Sequence, residues 1–219
     1  TGFCLLIKRE VLDRIGGLSE EVERAFFEDE DFSLRAQQAG YRCVVVSSSY
    51  VHHAEHQTVR KMPEREALFA RNQRWCHAKW GKWLRVAAPC FDRLEPSSPE
   101  LRQWLEQLVG WARRRTFVYA YGSVEGLTTR DEVFESVGLV PHANVVWHPV
   151  PASLAYWAAT GLILKRQKKR FDAIVAPDQR WASLMRGLSW IHRAPIVLAS
   201  NPDGLSSVWQ TRPLSLSSS

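Results

Sequence analysis

The chain has 219 residues, of which 45% are hydrophobic and 24% are charged. These fractions are typical of a globular protein and exclude collagen-like and disordered chains. The four cysteines form no C-x-x-C pair, which argues against a zinc knuckle and favours a reducing, cytoplasmic setting. The longest apolar stretch, residues 152–164, is too short to span a bilayer.

The formal net charge of +6 is distributed unevenly along the chain. Residues 1–59 carry a net charge of −4, residues 60–93 carry +6, and residues 94–219 carry +4. An acidic segment before a basic one suits a site for a metal and phosphates, or a basic surface that docks on an anionic membrane. Solvated helix faces are the simpler interpretation of the same pattern.

Five elements are predicted in the first part of the chain from its apolar periodicity and helix signals. In chain order they are strand Phe3–Ile7, helix Arg9–Ile15, a helix from Glu28 to Ala39, strand Tyr41–Val46 and helix Glu64–Trp80. Because a strand is already under way at Thr1, we expect the chain to be a piece of a longer protein.

Strands and helices alternate in the second part of the chain. The Pro- and Ser-rich segment Leu94–Pro99 predicts a linker, which gives domains 1–95 and 96–219. The alternation predicts a parallel, doubly wound sheet, which we expect to be incomplete at Ser219. The predicted elements are helix 101–112, strand 117–121, helix 130–137, strand 144–147, helix 152–170, strand 172–176, helix 180–191 and strand 196–199.

Four consecutive carboxylates, Glu28 to Asp31, open the second predicted helix. There they face the positive end of the helix dipole and its free N–H groups. One of them can stay ionised and accept a proton from a sugar hydroxyl. Arg35 lies four residues after Asp31 and can pair with it. An acidic first turn is also common in helices that have no catalytic role.

Several blocks in this order and spacing resemble the C-terminal half of inverting family 2 glycosyltransferases of the GT-A fold. The resemblance implies that Asp29, preceded by Glu28, is the base that deprotonates the acceptor hydroxyl. It also implies substrate contacts from Glu28, Asp31, Arg35, Gly2 and Trp80. The blocks are Gly2–Arg9, Val11–Leu18, Phe27–Arg35, Ala39–Arg42, His52-His53 and Lys79–Gly81.

Three histidines, His52, His53 and His56, follow the second predicted strand. A neutral imidazole can complete a Mg²⁺ or Mn²⁺ site whose main ligands are carboxylate and diphosphate oxygens. It can instead bind the diphosphate directly, or lie solvated in a surface loop. The resemblance implies one metal or diphosphate contact here, which we assign to His53, with His52 as the alternative. The Asp-x-Asp metal motif of the family is expected upstream of Thr1, so the isolated chain is expected to be inactive.

Two further segments are basic. The first is a basic, aromatic helix with the residues directly after it, a region that the resemblance associates with the acceptor site or a membrane. Its basic and aromatic residues are Arg71, Arg74, Trp75, Lys79, Trp80 and Trp83. Simple packing of the tryptophans explains it equally well, and no nucleic-acid motif is present. Residues 165–170 are expected to complement a helix C-terminus, with contact to anionic lipid as the alternative. Residues 116–199 faintly resemble the N-terminal half of GT-B glycosyltransferases.

The sequence therefore predicts an α/β chain, with part of a GT-A domain followed by part of a Rossmann-like domain. The predicted function is transfer of a sugar from a nucleotide-sugar to a glycan or lipid-linked acceptor, with inversion, in cell envelope polysaccharide synthesis. The predicted location is cytoplasmic, with peripheral contact at the inner face of the plasma membrane. The alternative is a non-catalytic remnant that binds glycan or protein.

Overall fold

The computed structural model describes residues 4–22, 25–46, 48–52, 62–165, 170–201, 205 and 208. The chain divides into two compact units, Thr1–Gly81 and Lys82–Ser219. The division predicted after residue 95 differs from this one, because residues 84–94 form a strand in the sheet of the second unit.

The first unit contains the three predicted helices, which are α1 (Arg9–Ile15), α2 (Glu28–Gln38) and α3 (Arg65–Trp80). A small core lies between α1 and α2, where Val11 packs with Phe32 and Ala36. Val11 lies on the apolar face of α1, and Phe32 and Ala36 lie on the apolar face of α2. The helix periodicity of the sequence therefore also locates this core.

Neither strand predicted for the first unit is present among its described residues. Residues 4–7 and 41–46 have no ladder hydrogen bonds, and Leu6, Val44 and Val45 are largely exposed to solvent. Phe3 lies outside the described residues. A strand is stable only when a neighbouring strand pairs with its backbone groups. The described part of the first unit offers no such partner, so apolar and β-branched composition alone gave a wrong prediction.

The second unit is built on a five-stranded parallel sheet in the order β3-β2-β1-β4-β5. This arrangement confirms the predicted parallel sheet and the mixed α/β fold class, which is consistent with a nucleotide-sugar transferase. The strands are β1 (Leu84–Leu94), β2 (Thr116–Val124), β3 (Val145–Pro149), β4 (Ala173–Ala176) and β5 (Ile196–Leu198).

Helices cover both faces of this sheet, because alternate strand residues point to opposite sides. The helices are α4 (Pro99–Ala112), α5 (Arg130–Glu135), α6 (Ala155–Leu164), α7 (Gln179–Gly187) and α8 (Ser189–His192), and a 3₁₀ turn at Ala152–Leu154 precedes α6. Val118 and Val175 pack in a core with α4 and α5, whereas Tyr121 and Ile174 pack in a core with α6 and α7. No helix among the described residues is both long and apolar enough to cross a membrane.

Candidate functional site

The candidate site is the start of α2, where the chain adopts an unusual conformation. Phe26 and Phe27, directly before Glu28, both have positive φ angles, of 70° and 74°. A non-glycine residue in this region costs roughly 1–2 kcal/mol. Such strain persists only where the surrounding structure enforces it, and it is concentrated at active sites and ligand-binding loops.

Helix α3 holds this strained turn in place. The Asn72 side-chain amide donates hydrogen bonds to the carbonyl oxygens of Ala25, at 2.6 Å, and Phe26, at 3.5 Å. Asn72 is only 3% exposed. The Phe69 ring packs against the rings of Phe26 and Phe27, with centroid distances of 5.2 Å in both pairs. One face of α3 therefore fixes the backbone that presents the acidic residues.

We expect Asn72→Ala to destabilise the first unit by about 1–3 kcal/mol, since it leaves two inward-facing carbonyl groups without this donor. Chemical denaturation followed by circular dichroism measures the change. Gln73→Ala, one position along α3, is the matched control and should change the free energy of unfolding by less than about 0.5 kcal/mol. Equal stability of both variants would show that Asn72 does not hold the turn.

Asp31 is the centre of a buried ionic network. Its carboxylate is fully buried and accepts hydrogen bonds from Arg35 Nε at 2.8 Å and from Trp80 Nε1 at 2.9 Å. Lys79 Nζ lies 3.0 Å from Asp31 Oδ1. The structure thus brings together Asp31, Arg35 and Trp80, three of the residues predicted to contact substrate, and both oxygens of Asp31 are engaged.

Arg35 extends the network to the end of α1. Its two terminal nitrogens donate to the carbonyl oxygens of Ile15 and Gly17, at 2.7 Å in each case. Helix α1 leaves its last carbonyl groups without partners inside the helix, and a cation there also complements the helix dipole. One guanidinium therefore joins α1 to α2, while Asp31 joins α2 to α3.

The protonation of Asp31 follows from these contacts. Burial raises the pKa of Asp31, but hydrogen bonds from Arg35, Lys79 and Trp80 and the charge of Lys79 outweigh it and leave the pKa below its usual value. Opposite charges and hydrogen bonds to the charged form have this effect on any carboxylate. Asp31 is therefore ionised at neutral pH and stabilises the junction of the three helices.

Asp29 has a different environment. It is partly buried, and its Oδ1 accepts a hydrogen bond from the backbone N–H of Glu30 at 2.9 Å. Within the described residues, no cation pairs with Asp29, and its Oδ2 has no hydrogen-bond partner. The Asp29 backbone carbonyl accepts from the Ser33 hydroxyl at 2.8 Å, which fixes the first turn. Asp29 therefore offers a carboxylate oxygen that none of the described residues uses.

Glu28 also offers an oxygen. Its Oε2 is buried and accepts no hydrogen bond from the described residues. A buried acceptor without a partner is costly, and such groups are found where a ligand, ion or water completes the site. Carboxylate oxygens are the ligands that Mg²⁺ and Mn²⁺ prefer, so Glu28 fits a divalent cation in this respect.

The remaining predicted residues are not brought to this site by the described structure. Gly2 and His53 lie outside the described residues, and the alternative metal ligand, His52, is described and exposed. Among the described residues there is no group of three or more His, Cys, Asp or Glu side chains that could hold a metal. The histidine assignment therefore stays a prediction.

The basic, aromatic end of α3 is engaged within the first unit. Trp75 Nε1 donates to Glu21 at 3.1 Å, and Lys79 Nζ lies 4.7 Å from the centroid of the Trp75 ring. Trp80 is tied to Asp31 as described. These contacts support the packing interpretation of Trp75 and Trp80, and they show why a Lys and two Trp occur at this helix end.

A cavity of about 370 Å³ lies in the second unit at the carboxyl ends of β2 and β3. Ser123, Gly126, Thr128 and Pro149 are among the described residues that line it, and none of the lining residues is charged. A diphosphate is normally bound by cations or by a metal ion. The cavity therefore offers no cationic side chain to a diphosphate among its described lining residues.

The family model for the glycosyl transferase family group 2 matches residues 1–164. The chain belongs to this family. The match confirms the predicted resemblance to family 2 glycosyltransferases and extends it beyond Gly81, where the last of the predicted blocks ends, to the end of α6. The weaker resemblance of residues 116–199 to GT-B enzymes stays a prediction, because many Rossmann-like domains share this strand pattern.

One curated relative is an uncharacterized protein, y4gI, from Sinorhizobium fredii (strain NBRC 101917 / NGR234). It is 34% identical over 94 residues, which cover 42% of this chain but 10% of the relative. The match thus spans about a tenth of the length of that relative. No solved structure matches the chain significantly. Glycosyltransferases of family group 2 use a nucleotide-sugar donor and an acceptor, commonly with a divalent cation.

Proposed function

We propose that this glycosyltransferase transfers a sugar from a nucleotide-sugar to an acceptor hydroxyl with inversion, and that Asp29 is the general base. The observation that carries the proposal is the contrast between two aspartates in one helical turn. Asp31 has both oxygens engaged by Arg35, Trp80 and Lys79, whereas Asp29 keeps Oδ2 without a partner among the described residues.

The reaction follows from the position of Asp29 at a fixed helix start. Its carboxylate takes the proton from the acceptor hydroxyl as the acceptor oxygen attacks the anomeric carbon. The bond between that carbon and the diphosphate oxygen breaks, and the nucleoside diphosphate leaves with the electron pair. Attack opposite the leaving group inverts the anomeric configuration. The strained turn at Phe26 and Phe27 sets the direction of the carboxylate.

Asp31, Arg35 and Trp80 have a positioning role in this proposal rather than the direct substrate contacts that the sequence suggested. Their polar atoms are used by one another and by the end of α1. Asp31 is fully buried and both of its oxygens already accept from protein donors, so its carboxylate is not exposed to a substrate. Its contribution is to keep the first turn of α2 rigid, which a general base requires because proton transfer depends on geometry.

A divalent cation is part of the proposal because a departing diphosphate carries charge that a metal neutralises. Glu28 supplies an oxygen that has no hydrogen-bond partner among the described residues, and His53, or alternatively His52, is the proposed imidazole ligand. The cytoplasmic location and the role in cell envelope polysaccharide synthesis stay predictions.

The histidine assignment gives a direct prediction. His53→Ala should weaken metal-dependent binding of nucleoside diphosphate by about tenfold or more, since loss of one ligand or outer-shell partner typically costs 10–100-fold in metal affinity. His56→Ala, in the same segment, should leave it unchanged. Calorimetric titration of nucleoside diphosphate into the full-length protein, with and without Mn²⁺, measures both. Equal metal-dependent affinity in the wild type and His53→Ala would move the test to His52.

The reaction class is tested by incubating the full-length protein with UDP-, GDP- and dTDP-sugars and a panel of glycan and lipid-linked acceptors. Release of nucleoside diphosphate that requires an acceptor supports glycosyl transfer. If donor is bound but no acceptor promotes release, the non-catalytic alternative is favoured, in which the chain binds glycan or protein without reacting.

A further inference from the structure

Helix α6 has an outer face that is unusual for a surface helix. Its inner face is buried through Ala155, Ala159 and Ile163, which pack in the core of the second unit. Its outer face is also apolar, with Trp157 68% exposed, and no charged residue occurs between residues 150 and 164. A helix on the surface of a water-soluble domain normally carries polar side chains on its outer face.

Helix α8 packs against α6 and continues this apolar surface. Trp190 on α8 is 74% exposed, and its neighbour Ile191 is exposed as well. Single exposed apolar residues are ordinary, but large side chains exposed on two neighbouring helices mark an interaction site. We call the outer surface of α6 and α8 with Trp157, Leu162, Trp190 and Ile191 the α6–α8 face.

Exposed cations accompany this face. Lys165 directly follows α6, Arg186 lies in the last turn of α7, and Arg193 directly follows α8. Within the described residues, no carboxylate pairs with these three side chains. Residues 151–201 contain eight basic and two acidic residues, so this segment alone has a net charge of +6, as large as that of the whole chain.

We propose that the α6–α8 face docks this glycosyltransferase on an anionic lipid surface. Tryptophan rings favour the boundary between lipid headgroups and acyl chains, where an apolar ring with a polar N–H is best accommodated. Lys and Arg beside them are attracted by the negative potential of anionic headgroups. Helices α6 and α8 have ten and four residues, which is too short to cross a bilayer. Their apolar and cationic groups together are typical of a protein that lies on a membrane without spanning it.

A second copy of the chain is a poorer occupant of the same face. A two-fold dimer through α6 and α8 would bring Lys165 and Arg193 of each copy towards the same residues of the other. Like charges held close together across an interface oppose association. An anionic bilayer instead satisfies the tryptophans and the cations at the same time.

Co-sedimentation with lipid vesicles tests the proposal. The chain should bind phosphatidylcholine vesicles that contain phosphatidylglycerol, and bind vesicles of pure phosphatidylcholine much more weakly. Each cation near an anionic surface contributes roughly fivefold in binding, so Lys165→Gln with Arg193→Gln should lower binding to the anionic vesicles about 30-fold. Trp157→Ser with Trp190→Ser should lower it about tenfold or more.

Matched variants on the opposite face of the sheet serve as controls. Arg102→Gln with Arg130→Gln, on α4 and α5, removes the same charge, and Val140→Ser removes another exposed apolar side chain. Both should bind vesicles as the wild type does. Circular dichroism establishes that each variant is folded, and quenching of wild-type tryptophan fluorescence by brominated lipid gives a readout that needs no variant.

Three results would overturn the proposal. The first is no binding of the wild type to anionic vesicles at low salt and no quenching by brominated lipid. The second is equal loss in the control pair and in the Lys165 and Arg193 pair, which would indicate a non-specific charge effect. The third is a dimer in sedimentation velocity that the tryptophan variants abolish while vesicle binding is unchanged, which would assign the face to a second copy.

Discussion

Asp29→Asn in the full-length protein should lower the rate of glycosyl transfer by about 10²–10⁴-fold, because an amide cannot take the acceptor proton. Donor binding should stay within a few-fold of wild type, since the substitution preserves the shape of the side chain and Oδ1 can still accept the Glu30 N–H. Steady-state kinetics with saturating donor gives the rate, and titration of the donor without acceptor gives the affinity.

Glu30→Gln is the matched control for this variant, because it removes one carboxylate charge from the same turn. It should change turnover by no more than a few-fold. Wild-type turnover in Asp29→Asn would remove the assignment, and Asp31→Asn would be tested next. A large loss in both Asp29→Asn and Glu30→Gln would indicate that the charge of the turn matters rather than one base.

Asp31→Ala should lower the free energy of unfolding of the first unit by about 3 kcal/mol, because removing one partner of a buried ion pair leaves the other charges uncompensated. Arg35 and Lys79 would lose the carboxylate that lies 2.8 Å and 3.0 Å from them. Hydrogen exchange of peptides from α1, α2 and α3 measures the change in each helix. Asp13→Ala, at an exposed site on α1, should change it by less than about 0.5 kcal/mol.

The contribution of Asp31 also depends on pH in a defined direction. Because its folded pKa lies below the ordinary value of 3.8, its stabilisation is fully present above that value and is lost as pH falls through the folded pKa. The stability difference between wild type and Asp31→Ala should therefore shrink below about pH 4. A difference that stays constant into strong acid would show that the ionised carboxylate is not what stabilises the helices.

Local sequence signals were sufficient to predict the helices of the first unit and one contact of the candidate site. The i,i+4 spacing of Asp31 and Arg35 predicts their pairing, which the structure confirms at 2.8 Å. The bonds from Lys79 and Trp80 to the same carboxylate join residues almost fifty positions apart. Neither helix periodicity nor residue type indicates which distant side chains will meet, so these contacts were not predicted.

The strained turn and its support were also missed. Phe26 and Phe27 have positive φ angles that phenylalanine rarely adopts, and a sequence pattern favours the common conformation. Asn72 gave an indirect signal, because it is a polar residue on the same face of α3 as the apolar residues Leu68 and Cys76, four positions away on each side. Such a residue can equally face solvent, and only the fold shows that it bonds to Ala25 and Phe26.

Strand β1 was missed for a different reason. It contains Ala87, Ala88 and Pro89, which are poor in the β-branched and aromatic side chains that mark strands. It is nevertheless the central strand, paired with β2 on one side and with β4 on the other. The converse holds for residues 41–46, whose valines are typical of a strand but which have no partner strand in the described part of the first unit. Tertiary pairing outweighs propensity in both cases.

The anomeric configuration of the product tests the central claim most directly. The full-length protein is incubated with a nucleotide-sugar that it accepts, and the coupling constant of the anomeric proton in the purified product is measured by nuclear magnetic resonance. Direct attack by an oxygen that Asp29 deprotonates predicts a configuration opposite to that of the donor. A product that retains the configuration of the donor would contradict single-step displacement and the role of Asp29 as its base.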